Sequence, residues 1–110
     1  NMWCNINYKG GFNKAHIHPN SLWSGVYYVK TPKNCGTLKI EDPKSSSLMV
    51  RPRKTTQQEP QHLWTEVHFE AQAGRLIMFP SWLNHMVEIN QSEEPRISIS
   101  FNFLQQGMFI

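Results

Sequence analysis

Short segments in which apolar and polar residues alternate run through this sequence, and turn-forming residues separate them. The clearest is "RISISFNF", residues 96–103, which places four apolar side chains on one face of a strand and four polar ones on the other. Helical periodicity is hard to find anywhere in the chain. This pattern constrains the fold to β-structure in which one face of a strand can line a wet cavity.

The alternation predicts eight strands, at about 2–8, 14–18, 24–30, 36–41, 62–71, 74–79, 84–90 and 96–104. Turn signals such as "KGG", "HPNS" and "QSEEP" separate them. The polar segment between the fourth and fifth strands, residues 43–61, is predicted to be a long loop. Eight short strands with little or no helix favour an all-β antiparallel jelly roll, the class that includes the cupins. With 110 residues, the chain is expected to form one domain, 1–110.

Composition excludes several classes of protein. No apolar run approaches the roughly 20 residues of a membrane span, and the first residues lack the pattern of a signal peptide. Two cysteines, Cys4 and Cys35, are too few for a disulfide scaffold, so reduced thiols and a cytoplasmic location are expected. Because the first residue is Asn1, we expect a chain trimmed at its N-terminus.

The net charge of +3 owes much to "RPRK", residues 51–54. No aromatic pattern for base stacking accompanies this cluster, so a solvated loop is favoured over a nucleic-acid interface.

Three histidines are candidates for a metal site. His16 and His18 lie in "HIHPNSLWSGVYYV", and residues two apart on a strand project from the same face. A third ligand is needed, and His85 follows the turn "FPSW" at the start of a predicted strand. Two other histidines, His62 and His68, fall on the polar face of the fifth strand and are expected to be surface residues.

Arg96 and Ser98 share the polar face of the last strand. A guanidinium beside a hydroxyl suits the bidentate binding of a carboxylate. A metal with open positions next to such a carboxylate site would accommodate a chelating 2-oxo acid.

The chain resembles the 2-oxoglutarate- and Fe(II)-dependent dioxygenases over nearly its whole length, from Trp3 to Phe103. The resemblance is carried by three motifs in this order: "HIHPNSLWSGVYYV", "GRLIMFPSWLNH" and "RISIS". The most similar subgroup is common in marine bacteria and their phages. The resemblance implies a double-stranded β-helix, a distorted jelly roll. It also implies Fe(II) as cofactor, 2-oxoglutarate as co-substrate, O₂, and an unknown protein or small-molecule substrate in the cytoplasm of a bacterium or infected host. The expected activity couples oxidative decarboxylation of 2-oxoglutarate to substrate oxidation, and a homodimer is expected.

Residue by residue, the resemblance assigns the metal to His16, His18 and His85. It assigns the distal carboxylate of 2-oxoglutarate to three side chains, Arg96, Ser98 and Tyr28. Tyr27 is expected to face the other way and to pack as core. Trp23, Met78, Trp82 and the 43–61 loop are candidates for the cavity mouth, and Asn5 and Asn7 for contacts to co-substrate or substrate.

The chain departs from the family pattern at His18, where the usual ligand is Asp or Glu. The only aspartate of the sequence, Asp42, lies far along the chain at a strand end. Either the metal has three histidine ligands, or His18 lies near the metal without binding it and water takes the place of the second protein ligand.

Two other functions remain open at this point. A cupin-type three-histidine dioxygenase would not use 2-oxoglutarate, and "G-x5-P-x4-H-x4-N", from Gly74 to Asn90, is close to a cupin motif. A non-catalytic metal-binding jelly roll is the third hypothesis.

Overall fold

The fold consists of eight antiparallel β-strands. The computed structural model describes residues 1–44, 58, 60–61 and 64–106, and no α-helix occurs among them. The strands are β1 (Met2–Asn7), β2 (Asn13–His16), β3 (Ser21–Lys30), β4 (Thr37–Glu41), β5 (Glu66–Glu70), β6 (Leu76–Pro80), β7 (His85–Val87) and β8 (Arg96–Leu104). The predicted number and order of strands are therefore confirmed, while most of the predicted 43–61 loop and the first residues of the predicted fifth strand lie outside the described residues.

The strands form two four-stranded sheets, in the orders β1-β8-β3-β6 and β2-β7-β4-β5. Chain neighbours such as β1 and β2 lie in different sheets, and every pairing within a sheet is antiparallel. This arrangement confirms the jelly-roll expectation. No helix in the described part of the chain is long and apolar enough to cross a membrane.

The register of β8 determines which polar residues lie side by side. This strand runs between β1 and β3, and Ser98 is paired with Asn5 on one side and with Tyr28 on the other. Arg96 is paired with Asn7. Since alternate residues share a face, these polar side chains are collected on the side of the first sheet that faces the second sheet.

A small apolar core lies between the sheets. Its buried members are Tyr28, Leu38, Ile77 and Phe79. Tyr28 is 3% exposed, whereas Tyr27 is 40% exposed, so the expectation that Tyr27 packs as core is wrong. Tyr28 faces the second sheet and takes the core position, and the alternation of β3 turns Tyr27 outwards.

The outer face of the first sheet is apolar. Several of its large side chains are about half exposed: Ile6, Trp23, Val29, Leu76, Met78 and Phe103. Both cysteines are free thiols, as expected, with Cys4 exposed and Cys35 buried.

Candidate active site

Three histidines converge between the sheets. His16 ends β2, His85 begins β7, and the two are paired across the antiparallel ladder. His18 follows two residues after His16, and its backbone N–H donates to the Ser81 carbonyl at 3.1 Å. The potential ligand nitrogens of the three histidines all lie within 4.8 Å of one another. The sequence spacing brought two of them together, and the pairing of β2 with β7 adds the third.

The imidazoles are oriented through their second ring nitrogens. Nδ1 of His85 lies 2.9 Å from the Leu83 carbonyl, and Nδ1 of His16 lies 2.5 Å from the Lys14 carbonyl. A carbonyl only accepts, so each Nδ1 carries the proton and donates, which leaves Nε2 with a lone pair. Burial lowers the pKa of His85 to about 4. Burial, with a smaller contribution from His16, also lowers the pKa of His18, so both imidazoles are neutral near pH 7.

This donor set fits a divalent transition metal. Nε2 of His18 lies 3.2 Å from Nε2 of His85. Two nitrogen ligands about 2.1 Å from one ion are roughly 3 Å apart when they bind at about a right angle, so the observed separation suits adjacent ligands. Three imidazole nitrogens suit Fe(II), and they also suit zinc, copper or nickel.

The histidines line a cavity that continues towards Arg96. It encloses about 570 Å³ of empty space, a figure that includes the open solvent at its mouth. Tyr28, Arg96 and Ser98 line it together with the three histidines. No Asp or Glu lines this cavity among the residues that the structure describes.

Arg96 is the most unusual residue of the cavity. It is 1% exposed, and its Nη1 donates to the backbone carbonyls of Cys35 and, at 3.2 Å, Glu88. Its Nη2 is buried and has no hydrogen-bond partner among the described residues. Burial lowers the pKa of Arg96 but a guanidinium remains charged, so the cavity holds a cation with a free donor. Because an unpaired buried donor is costly, a ligand with an acceptor there is strongly favoured.

Tyr28 and Ser98 adjoin this cation through the sheet. Their backbones are paired in the register of β3 with β8, and Ser98 is 5% exposed. Burial raises the pKa of Tyr28, so its phenol keeps its proton and is able to donate. The predicted co-substrate residues are therefore assembled at one end of the cavity.

The other end of the cavity carries polar side chains and one tryptophan. Asn5 donates to Ser100 at 2.6 Å, and Trp3 Nε1 donates to Asn5 Oδ1 at 3.1 Å. The ring of Trp3 lies 6.4 Å from that of His18. Asn5 and Asn7 both line the cavity, Asn7 beside its strand partner Arg96, and their contacts to co-substrate or substrate stay a prediction. Sequence reasoning missed Trp3, although its position two residues before Asn5 on β1 places it on the same face.

The expected mouth residues lie elsewhere. Trp23, Met78 and Trp82 are 47%, 46% and 62% exposed, and none of them lines the cavity. Trp23 and Met78 fall on the outward face of their strands, opposite the inward-facing Ser24 and Phe79. The expectation that these three residues form the mouth is wrong.

His68 lies apart from the metal candidates. It is a surface residue of β5, bonded to Thr37 at 3.0 Å and to Glu66 at 3.1 Å. This confirms the prediction from the strand alternation, while His62 lies outside the described residues.

Residues 1–102 match the protein family described as "Putative 2OG-Fe(II) oxygenase". The chain belongs to this family. The resemblance seen in the sequence is thereby confirmed, and with it Fe(II) as the cofactor and 2-oxoglutarate as the co-substrate of the oxygenase family. No curated protein matches the sequence.

Solved structures share the fold of this oxygenase family member. A prolyl-4-hydroxylase from Pseudomonas putida has a TM-score of 0.69 and 18% identity over 96% of this chain and 52% of its own. A 2OG-Fe(II) oxygenase family oxidoreductase from Burkholderia pseudomallei has a TM-score of 0.66 and 16% identity over 92% of this chain and 41% of its own.

The third is the alpha-ketoglutarate-dependent epimerase SnoN from nogalamycin biosynthesis. It has a TM-score of 0.63 and 16% identity over 90% of this chain and 45% of its own. The chain thus spans about half the length of the solved structures it matches, and at such identities the likeness concerns the fold.

Proposed function

We propose that the protein is a 2-oxoglutarate-dependent oxygenase of the hydroxylase type, with its metal on His16, His18 and His85. One observation carries this proposal. The same cavity is lined by three converging imidazoles and by the buried guanidinium of Arg96, whose Nη2 is unpaired among the described residues. A chelating 2-oxo acid with a distal carboxylate would provide a ligand for the metal and an acceptor for Nη2 at once.

The three histidines would bind the metal through Nε2, oriented by the Nδ1–H bonds of His16 and His85. When bound, Fe(II) with 2-oxoglutarate and O₂ supplies the oxidising chemistry, which yields succinate, CO₂ and an oxidised substrate. The protein's part is to hold these ligands, orient the co-substrate and exclude water.

Charge complementarity supports 2-oxoglutarate as the ligand. Three neutral imidazoles leave a divalent metal with its full charge, and Arg96 adds one more positive charge in a cavity that has no acidic lining among its described residues. A dianion compensates most of this charge. Arg96, Ser98 and Tyr28 would donate to the distal carboxylate. Arg96 and Ser98 both lie on β8, and Tyr28 of β3 is paired with Ser98.

Substrate would approach from the Trp3 side. Trp3 is 39% exposed beside His18, and its indole is held by Asn5. An aromatic ring and the neighbouring amides suit an organic substrate with both apolar and hydrogen-bonding groups.

Anaerobic titration with 2-oxoglutarate tests the proposal. We expect the Fe(II)-loaded protein to develop a visible metal-to-ligand charge-transfer absorption that saturates with the co-substrate. The Arg96→Ala variant should need a much higher concentration, since it lacks the cation that faces the distal carboxylate. A protein that binds Fe(II) but develops no absorption would contradict the proposal.

A second candidate is a cupin-type three-histidine dioxygenase that binds its substrate directly. The observation in its favour is the donor set, because the described cavity lining contains three histidines and no carboxylate. In that case Arg96→Ala would leave the binding of 2-oxo acids unchanged, so the same titration separates the two candidates.

A further inference from the structure

The guanidinium of Arg96 is held in place by backbone atoms and not by side chains. Nη1 donates to the carbonyl of Cys35 and to the carbonyl of Glu88, while Nη2 remains without a partner among the described residues. The direction in which Nη2 points therefore depends on where two segments of backbone lie. These segments are the turn 34–36, before β4, and residues 88–91, after β7.

The turn has an unusual backbone conformation. Asn34 has a φ of 65° and Gly36 has a φ of 90°, so Cys35 lies between two residues in the left-handed region. Backbone hydrogen bonds join the turn and the first residue of β4 to the second segment, from Gln91 N to Asn34 O at 3.0 Å and from Glu88 N to Thr37 O at 2.9 Å. The two carbonyls that hold Arg96 thus belong to one hydrogen-bonded unit.

Gly36 is packed directly against one of these carbonyls. A Cβ at this position would lie 2.6 Å from the Glu88 carbonyl oxygen and 2.8 Å from that of Ile89. Real Cβ atoms essentially never approach so closely, so any side chain would displace the Glu88 carbonyl, which accepts from Arg96. Gly74 has almost the same φ, 85°, but a Cβ there would meet nothing within 4 Å.

We propose that Gly36 is a positioning residue for the co-substrate: its lack of a side chain lets the Cys35 and Glu88 carbonyls aim Arg96 at the distal carboxylate. This inference rests on the proposed function, because it assigns the unpaired Nη2 to a carboxylate ligand. Gly36 acts through Arg96 and does not contact the co-substrate, so a substitution there changes the recognition of the distal carboxylate and leaves the metal centre intact.

The test compares two ligands with the same chelating head. Both 2-oxoglutarate and 2-oxobutyrate carry a 2-oxo acid group, but only the former has a distal carboxylate. Dissociation constants for the Mn(II)-loaded protein, measured by calorimetry, give the preference of each variant for 2-oxoglutarate. The variants are Gly36→Ala, the matched control Gly74→Ala, and Arg96→Ala.

We expect Gly36→Ala to lose about tenfold or more of this preference, the order of one hydrogen bond to a charged group. Its affinities for Mn(II) and 2-oxobutyrate should stay near those of the wild type. Gly74→Ala carries the same backbone strain away from Arg96 and should keep the preference. A retained preference in Gly36→Ala, or an equal loss for both ligands, would overturn the inference.

Different outcomes of the same experiment would contradict the proposed function and not only the role of Gly36. A wild-type protein without a preference for 2-oxoglutarate, or with one that Arg96→Ala leaves unchanged, would contradict the function itself. If Gly36→Ala does not fold, Asn34→Ala takes its place, because it strains the turn that supplies the Cys35 carbonyl, the other acceptor that aims Arg96. A smaller loss of preference is then expected, and an unchanged preference would overturn the inference.

Discussion

His18 occupies the position at which the resemblance places a carboxylate ligand, two residues after the first histidine. Its Nε2 lies 3.2 Å from that of His85, close enough for both to bind one ion. At the scale of single residues, a neutral ligand here in place of an anionic one would set the charge of the proposed metal centre.

Substituting His18 tests this assignment. We expect His18→Ala to weaken Mn(II) binding at least tenfold, because one of three ligands is lost. His18→Asp should retain the metal but weaken 2-oxoglutarate binding, since the centre loses one positive charge. Metal binding can be followed by the electron paramagnetic resonance of Mn(II).

The surface residue His68 supplies the control. His68→Ala should leave metal binding unchanged, because its ring bonds to Thr37 and Glu66 away from the cavity. Unimpaired metal binding in His18→Ala would show that His18 is not a ligand.

At the scale of elements, β8 contributes more polar residues to the described cavity wall than any other strand does. Four of its polar residues line the cavity: Arg96, Ser98, Ser100 and Asn102. A shift of one residue in register would turn all four away, so the pairing of β8 with β1 and β3 is decisive for the site. Gly25 of β3 lies opposite Phe101 of β8 in this register.

Gly25→Ala tests how closely β3 and β8 pack. A Cβ at this position would lie 2.3 Å from the tip of the Phe101 ring and 3.0 Å from the Ile77 carbonyl oxygen. We expect the free energy of unfolding to fall by about 1–3 kcal/mol, as for other overpacked positions. Urea denaturation measures this change.

The double variant with Phe101→Ala is the matched comparison. The alanine at position 101 removes the obstructing ring. The double variant should therefore lose less unfolding free energy than the two single variants lose together. Full additivity would mean that Phe101 does not oppose the added methyl group.

At the scale of the whole molecule, ligand binding and stability are linked. Only the folded chain brings His16, His85 and Arg96 together, since they come from three different strands. A ligand that binds the folded state alone raises its stability.

We therefore expect 2-oxoglutarate to raise the Tm of the Mn(II)-loaded protein. At 100 times Kd the gain is about 2.7 kcal/mol, or roughly 10–20 °C for a domain of this size. In Arg96→Ala, the same concentration should give little further increase over Mn(II) alone. An equal rise in both proteins would show that the co-substrate stabilises the fold without this arginine. Calorimetric melting curves provide the measurement.

The expected homodimer also remains a prediction at this scale. The apolar outer face of the first sheet offers a surface of contact, with Leu76 54% and Tyr27 40% exposed. Light scattering should report a mass near twice 12.9 kDa for the wild type. The Leu76→Lys variant should have a lower mass, because a charge on this face disfavours the dimer. Lys33→Glu, away from this face, should leave the mass unchanged, and a monomer at high concentration would contradict the prediction.

Local patterns were enough to predict the elements and the faces of single strands. The alternation in "RISISFNF" placed Arg96 and Ser98 on one face, because the side-chain period of a strand is two residues wherever the strand lies. The H-x-H spacing also predicted that His16 and His18 lie together, although β2 ends at His16 and the strand period does not extend to His18. The exposed position of His68 followed from the same rule.

Tertiary structure alone decided which strands became neighbours. The same alternation did not show whether Tyr27 or Tyr28 faces the core. It also did not show that Trp3, and not Trp23, lines the cavity. Both outcomes depend on which face of the first sheet meets the second sheet. Nor could the alternation place the Cys35 and Glu88 carbonyls around Arg96, since hydrogen bonds between residues 61 and 8 positions apart form only when both sheets are assembled. The sequence by itself determined the side-chain alternation of the strands, the candidate ligands and the family, whereas the pairing of distant strands determined the cavity.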